Sequence, residues 1–246
     1  MCGILAGNGA ASKGKYRGVA PECMLICGKI LDYKGGGSLK NLLKGLQWID
    51  EMRKEYPIRI LNISIEMEAE SKLDKNELLL MHQYFEFLWK TDVMIVAAAG
   101  NRGPKPMSIS PISENGSCVC VSCNDGDFVG AGGRTCAEYS GRGPGKGMIS
   151  FSRQDNPLKK PDIVAPGTDI VSCCHKLQSL YVPKSGTSMA TPLVSGACAL
   201  FMQKYPKATN MQLKRCLLRS ARDLGETWDV QGAGMLSVRR LLQRIV

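Results

Sequence analysis

The segment at residues 186–192 carries the strongest chemical signal in the sequence. It reads Gly-Thr-Ser-Met-Ala-Thr-Pro and places Ser188 just after a glycine turn, at the start of a helical pattern of small residues. A hydroxyl at that position lies near the positive end of the helix dipole, and small neighbours let a substrate carbonyl approach. A serine that only caps a helix would not need Pro192, which removes a helical hydrogen bond. The segment therefore predicts a nucleophilic serine.

The elements that must position Ser188 follow an alternating order. Apolar runs alternate with helical patterns, which is typical of parallel strands joined by crossover helices. Predicted strands cover residues 23–31, 58–65 and 93–99, with shorter runs at 117–122, 148–151, 162–165 and 170–173. Predicted helices cover residues 42–52, capped by Ser38, and residues 78–89, and three more follow from Ser188 onward. Since there is no repeat and no linker, we expect one α/β domain over residues 1–246.

Length and composition limit the class of protein. The chain has 246 residues, of which 44% are hydrophobic and 22% charged, so disorder, collagen and coiled coil are excluded. No apolar stretch approaches the roughly 18 residues that cross a bilayer, and we expect no membrane partner. Residues 1–20 lack the apolar stretch of a signal peptide, which predicts a cytoplasmic protein.

The formal net charge of +10 is concentrated near the C-terminus. There, lysines and arginines interleave with leucines at helical spacing, as Lys214 does with Leu213 and Leu217. This pattern is typical of the solvent faces of amphipathic helices. Because neither aromatic interleaving nor a known module accompanies the charge, we expect no nucleic-acid partner.

Eleven cysteines are scattered along the sequence rather than arranged in a framework. Cys118, Cys120 and Cys123, like Cys23 and Cys27, alternate with Val, Leu and Ile, which predicts thiols packed as small apolar groups inside strands. Cys120 and Cys123 form a Cys-x-x-Cys pair that has no second pair to complete a metal site. The sequence therefore predicts no metal and no other cofactor.

Several segments together resemble the subtilisin-like serine peptidases. Residues 186–192 are similar to the nucleophile motif of that family, and residues 97–101 to its oxyanion segment. Three more segments match the family in order along the chain, at residues 18–21, 160–167 and 232–234. The resemblance implies an α/β fold, a subtilisin-like parallel sheet with helices on both faces. It also implies peptide-bond hydrolysis by Ser188, with the Asn101 side chain donating to the oxyanion.

Two members of the family's catalytic triad have no counterpart in the sequence. The family has a His at the start of a central helix, and residues 1–7 resemble the continuation of that helix, starting one residue after the expected His. The family's Asp lies on a strand that would precede residue 1. His82 lies in a helical pattern and His175 follows two cysteines, so we expect structural or surface roles for both. Without a base, Ser188 stays a protonated alcohol, and we expect the isolated chain to be inactive.

The resemblance thus implies a fold lacking the N-terminal Asp strand and the start of the His helix. The missing strand would leave an apolar slot between the predicted strands at residues 23–31 and 58–65. Such a slot favours the addition of a strand from another chain. We therefore expect two kinds of partner, a polypeptide substrate and a complementing N-terminal segment.

The resemblance also implies a substrate groove that includes Ser64, Gly100 and Arg102. After residues 61–64 the family usually has an apolar residue and a glycine whose bare backbone pairs with substrate, but this chain has Ile65 and Glu66 there. A Glu side chain there would crowd an incoming strand or attract a basic one. Arg102 would favour acidic substrate side chains, or else lie exposed beside a turn.

Several functional interpretations remain open. The first is a serine endopeptidase whose chain begins upstream of Met1. The second is a short, catalytically dead subtilase that acts as a binding or regulatory module, and the third is the product of a decayed gene. Separately, residues 1–4 resemble the start of glutamine amidotransferases, which use an N-terminal Cys as nucleophile. That family would also need its Arg-rich and Asn-Gly-Glu segments downstream, and residues 14–18 fit the subtilisin-like loop better.

Overall fold

A four-stranded parallel sheet carries the elements that hold the candidate site. The structure is a computed structural model and describes residues 1–67, 74–125, 136–143, 159–174 and 180–243. The strands lie in the order β1 (Ile60–Ile63), β2 (Met94–Ala98), β3 (Val119–Asn124) and β4 (Ile163–Pro166). In the register of the sheet, Ile60 lies beside Met94, Val96 beside Val119 and Val121 beside Ile163. A separate antiparallel pair consists of β5 (Ile170–Cys173) and β6 (Tyr181–Lys184).

The helices are α1 (Cys2–Ala6), α2 (Leu39–Met52), α3 (Lys75–Lys90), α4 (Thr187–Lys204), α5 (Asn210–Ser220), α6 (Trp228–Gln231) and α7 (Val238–Gln243). Ser38 caps α2 as predicted, because its hydroxyl accepts a hydrogen bond from the Asn41 N–H at 3.2 Å. Thr209 and Gln212 form a capping box at the start of α5. The helix starts are therefore fixed by local side-chain hydrogen bonds that the sequence encodes.

Helices cover both faces of the sheet, because alternate residues of a strand point to opposite sides. On β2, Val96 packs in one cluster with Phe201 of α4, while Ile95 packs in another with Phe85 of α3. Helix α4 contacts all four strands of the parallel sheet. This arrangement confirms the predicted fold class and places α3 on the face opposite α4.

Most predicted elements are present, with ends that differ by a few residues. The predicted helix at residues 78–89 begins earlier, at Lys75, where the Asp74 side chain accepts from the Asn76 N–H. Strand β6 and helix α6 were not predicted, since each has only four residues and no clear periodicity. The predicted run at residues 148–151 lies outside the described residues.

The predicted strand at residues 23–31 is wrong, since this segment has no regular secondary structure. Met24 is 77% exposed, Cys27 is exposed and Cys23 is only partly buried, so the expected packing of these two thiols inside a strand is also wrong. A strand needs a neighbour to pair its N–H and C=O groups, and no described strand pairs with this segment. The thiols predicted at residues 118, 120 and 123 are buried, as expected.

Strand β1 forms an open edge of the described sheet. It pairs with β2 only, and its first three residues are partly exposed, whereas every residue of β2 and β3 is buried. Strands of parallel sheets are usually covered on both faces. The expected slot between two strands is therefore an open edge of β1, with backbone groups available to a further strand.

A buried ionic network anchors the start of β4. Asp162 Oδ2 accepts from Lys160 Nζ at 2.6 Å and from the Cys120 N–H at 2.7 Å, and Asp162 Oδ1 lies 3.3 Å from Lys214 Nζ. Burial alone would raise the pKa of Asp162, but the attraction of the two lysines outweighs it, and the pKa is lowered. Lys214 was predicted to lie on a solvent face, and that interpretation is wrong because its ammonium group is drawn into this network.

Candidate active site

Ser188 lies in the first turn of α4 and is partly exposed. Gly186 is the N-cap, with a φ of 145° that a side chain would strain. In the first turn of α4, the Met189 N–H donates to the Gly186 carbonyl at 2.9 Å, which leaves the Ser188 N–H beside the Ser188 hydroxyl at the helix start. Pro192 cannot donate to the Ser188 carbonyl one turn earlier. The local sequence thus presents a hydroxyl beside backbone donors.

Asn101 follows the carboxyl end of β2, and one hydrogen bond holds it against the start of α4. Its Oδ1 accepts from the Thr187 N–H at 2.9 Å and lies 3.3 Å from the Thr187 hydroxyl. The Gly100 N–H donates to the same hydroxyl at 3.2 Å. Asn101 Nδ2 also lies near the helix start, 3.7 Å from where a Cβ on Gly186 would be. The two residues predicted for catalysis, Asn101 and Ser188, are therefore brought together through Thr187, a buried residue that sequence reasoning missed.

Ser64, predicted to bind substrate, lies just after β1. Asn62 Nδ2 donates to the Ser64 hydroxyl at 2.8 Å, and Asn62 Oδ1 accepts from the Ser195 hydroxyl at 2.9 Å. The Asn62 side chain therefore ties the end of β1 to α4. This link sets the position of the segment that follows, which includes Glu66.

The Glu66 carboxylate occupies the donor side of Asn101. Glu66 Oε2 accepts from Asn101 Nδ2 at 3.0 Å, and Glu66 Oε1 lies 3.3 Å from Arg102 Nε. The carboxylate also approaches the backbone of Gly100, where an added Cβ would lie 3.1 Å from Oε1. Gly100 and Arg102, both predicted to bind substrate, therefore lie beside the Glu66 carboxylate, and Arg102 forms an ion pair with it. Glu66 was expected to crowd an incoming strand or attract a basic one, and within the chain its carboxylate pairs with Arg102.

His82 is the only histidine in the described part of the chain, and it does not face Ser188. It belongs to α3, on the face of the sheet opposite α4. Its Nδ1 accepts from Asn115 Nδ2 at 2.9 Å, and its ring packs edge-on against Phe85. Burial lowers the pKa of His82 to about 4, so the ring is neutral at pH 7. The other histidine, His175, lies outside the described residues.

A cleft lies beside the start of α4, on the side of α1. Its lining residues come from α1, the β5–β6 pair and α4, namely Met1, Ile4, Ile170, Ser172, Cys173, Cys174, Val182, Lys184 and Met189. Neither a histidine nor a carboxylate is among them. Among the described residues, the predicted nucleophile Ser188 and the predicted oxyanion donor Asn101 therefore lie at this site, and no histidine is among the cleft residues.

No group of three or more potential metal ligands occurs among the described residues. Within the same ranges, every helix is too short or too polar to cross a lipid bilayer. Cys2 begins α1, and its Sγ lies 3.6 Å from Cys27 Sγ. Helix α1 packs against α4, so the segment resembling amidotransferases is part of the same folded unit as Ser188.

A model of the subtilase family matches residues 1–235. The chain is 32% identical over 253 residues to the serine protease AprX of Bacillus subtilis (strain 168), in a match that covers 96% of this chain and 55% of AprX. It is 30% identical over 220 residues to subtilisin Savinase of Lederbergia lenta, covering 89% of this chain and 68% of Savinase. The chain therefore spans about half the length of AprX.

Several solved structures have a fold similar to that of this chain. The structure titled Sphericase superimposes with a TM-score of 0.77 at 25% identity, covering 96% of this chain and 75% of that chain. The structure titled S41 Psychrophilic Protease gives a TM-score of 0.72 at 28% identity, covering 89% of this chain and 67% of that chain. The sheet and its helices therefore match a known peptidase fold over nearly the whole chain.

Proposed function

The chain belongs to the subtilase family, and on that premise we propose that it forms the nucleophile-bearing part of a serine endopeptidase. The hydrogen bond from the Thr187 N–H to Asn101 Oδ1, 2.9 Å long, carries the proposal. This contact supports the proposal because it holds the Asn101 side chain against the helix start that carries Ser188. A nucleophile beside a fixed oxyanion donor is the arrangement that acyl transfer requires.

In the proposed reaction, a base removes the Ser188 proton as Oγ attacks the scissile carbonyl. The oxyanion that forms accepts from Asn101 Nδ2 and from the backbone N–H at the start of α4. The base then passes the proton to the leaving amine, and water hydrolyses the acyl-enzyme by the same two steps. The described residues bind the carbonyl and supply Oγ, while the base comes from elsewhere.

We further propose that the base arrives on a polypeptide segment that adds to the open edge of β1. The support for this is the partial exposure of β1 beside two fully buried strands, together with the irregular segment at residues 23–31. A strand inserted at that edge would satisfy backbone groups on β1 and give the irregular segment a neighbour. The added segment would carry the family's Asp strand and His helix.

A labelling experiment tests both parts of this proposal. The purified 246-residue chain is incubated with a fluorophosphonate probe, with and without a synthetic peptide that carries the AprX Asp strand and His helix. We expect Ser188 to be labelled only with the peptide present, and the Ser188→Ala variant not at all. Labelling of the chain alone would overturn the need for a complementing segment. Peptide binding without any labelling would overturn the enzyme proposal.

A second candidate function is that of a catalytically dead subtilase acting as a binding or regulatory module. The observation that favours it is the Glu66 carboxylate on Asn101 Nδ2, where an oxyanion would otherwise be bound. In that case the peptide would bind and stabilise the chain, yet Ser188 would stay unlabelled. The same experiment therefore separates the two functions.

A further inference from the structure

The carboxylate of Glu66 competes with a substrate for the donor that the reaction needs. Its Oε2 holds Asn101 Nδ2 at 3.0 Å, and the side chain is only 25% exposed. A scissile carbonyl can use Asn101 only after this hydrogen bond breaks. A carboxylate at this partly exposed position that loses a donor takes up water or a substrate cation instead, and a cation adds a charge attraction that water does not supply. The identity of that replacement decides which substrates enter easily.

We propose that Glu66 is a specificity-determining residue that favours substrates with Lys or Arg beside the scissile bond. The inference rests on the proposed peptidase function, and it names the substrate class of that site. The residue whose carbonyl reaches Asn101 carries its side chain on the adjacent carbon, close to the Glu66 carboxylate. A cation there replaces Asn101 as the donor to Oε2 and frees Nδ2 for the carbonyl.

Arg102 does not remove this preference, because a carboxylate has two oxygens. Arg102 Nε lies 3.3 Å from Oε1, whereas Oε2 is the oxygen that holds Asn101. One carboxylate can therefore keep Arg102 on one oxygen and accept a substrate cation on the other. An acidic substrate side chain would face the Glu66 charge. The structure thus favours the reverse of the acidic preference that Arg102 alone predicts.

Binding measurements test the proposal without requiring hydrolysis. The full chain is titrated with acetyl-Ala-Ala-Ala-X-amide peptides, in which X is Lys, Leu or Glu, and binding is followed by NMR. We expect the Lys peptide to bind about tenfold more tightly than the Glu peptide at low salt, with the Leu peptide between them. High salt should reduce the difference, because the pair is partly exposed.

Two variants of Glu66 distinguish the effect of its charge on peptide affinity from the effect of its side-chain shape. The Glu66→Gln variant keeps the size of the side chain, and we expect the Lys and Glu peptides to bind it within about twofold of each other. The Glu66→Lys variant should prefer the Glu peptide. The Glu51→Gln variant, which removes an exposed carboxylate on α2, should retain the tenfold preference.

The side-chain amide resonance of Asn101 gives a direct readout of the contact. It is assigned by its loss in Asn101→Ala, and we expect it to shift in Glu66→Gln and on binding of the Lys peptide to the wild-type chain. A wild-type preference for the Glu peptide, equal binding of all three peptides, or no binding would each overturn the proposal. Failure of Ser188 labelling leaves these readouts unchanged, so the two proposals fail separately.

Discussion

The side-chain oxygen of Asn101 accepts a hydrogen bond from the backbone N–H of Thr187 at 2.9 Å. This contact joins the end of a strand to the start of a helix, over 86 residues of sequence. It fixes the orientation of the amide, because Oδ1 is held at the start of α4 while Nδ2 donates to Glu66 Oε2 at 3.0 Å. The side chain of Asn101, which we propose as the oxyanion donor, is therefore held at its oxygen by Thr187 and at its nitrogen by Glu66.

Replacing Asn101 by Ala should lower turnover of the peptide-complemented enzyme by about 10² to 10³-fold. The substitution removes one oxyanion donor, which acts in the transition state, so KM should change little. The measurement is steady-state hydrolysis of a chromogenic peptide, with Ser188→Ala as the inactive reference. A rise in KM with unchanged kcat would show that Asn101 binds the substrate in its ground state rather than the oxyanion.

Replacing Thr187 by Val should destabilise the chain by about 1 to 3 kcal/mol, because the buried N–H of Gly100 loses its acceptor. The Thr187→Ser variant keeps the hydroxyl and loses one methyl group, and it should be the less destabilised of the two. Denaturation in urea, followed by circular dichroism, measures both. A valine variant as stable as the serine variant would contradict the role given to this hydroxyl.

Replacing Asp162 by Asn should lower the free energy of unfolding by about 3 to 5 kcal/mol, because the buried charge of Lys160 would lose its carboxylate partner. Asp50→Asn, which breaks an exposed pair with Arg53, should cost under about 1 kcal/mol. Urea denaturation at pH 7 compares the two variants. Similar losses for both would mean that the buried network adds little to stability.

The contribution of Asp162 to the stability of the folded chain should decrease only when the solution becomes acidic. Its folded-state pKa is lowered below the ordinary value of 3.8 by the neighbouring lysines, against the effect of burial. The stabilisation is therefore complete above about pH 4 to 5 and is lost as the pH falls through the folded-state pKa. The stability difference between the wild type and Asp162→Asn should stay constant from pH 5 to 7 and shrink in stronger acid.

The ring of His82 should not titrate between pH 5 and 8. Burial lowers the pKa of His82 from 6.5 to about 4. The ring therefore stays neutral in the folded state at pH values near 6.5, where an exposed ring would take up a proton. Protonation of the unfolded chain then makes His82 destabilising as the pH falls from 6.5 towards 4. NMR of the ring resonances against pH measures this, and the His82→Gln variant should lack this component of the acid sensitivity. A ring that titrates near 6.5 would contradict the buried position.

The buried thiols should resist alkylation that the exposed thiols undergo. Burial raises the pKa of Cys120 and Cys198 to about 12, whereas Cys2 and Cys173 are exposed. With iodoacetamide at pH 8, peptide mass spectrometry should find Cys2 and Cys173 modified long before the two buried thiols. In guanidinium chloride all of them should react at similar rates. Rapid modification of Cys120 in the native chain would show that β3 opens readily.

The sequence by itself determined much of the local secondary structure, including the helix start that carries Ser188 and the order of strands and helices. The glycine and small residues at 186–192 predict a helix start that presents Ser188, and the structure has that helix beginning at Thr187. The alternation of apolar runs and helical patterns predicts a parallel sheet with crossover helices. Such signals depend on residues that are neighbours along the chain, so composition and spacing are enough to identify them.

Contacts between distant parts of the chain were decided only by the tertiary structure. Glu66 and Asn101 are 35 residues apart, yet their side chains are joined by a hydrogen bond of 3.0 Å. Lys214 has the spacing of a solvent-facing residue, but its ammonium group reaches Asp162 in a buried network. Residues 23–31 have the composition of a strand and remain irregular, because no described strand pairs with them. Composition sets the tendency to form a strand or an ion pair, but only the fold supplies the partner.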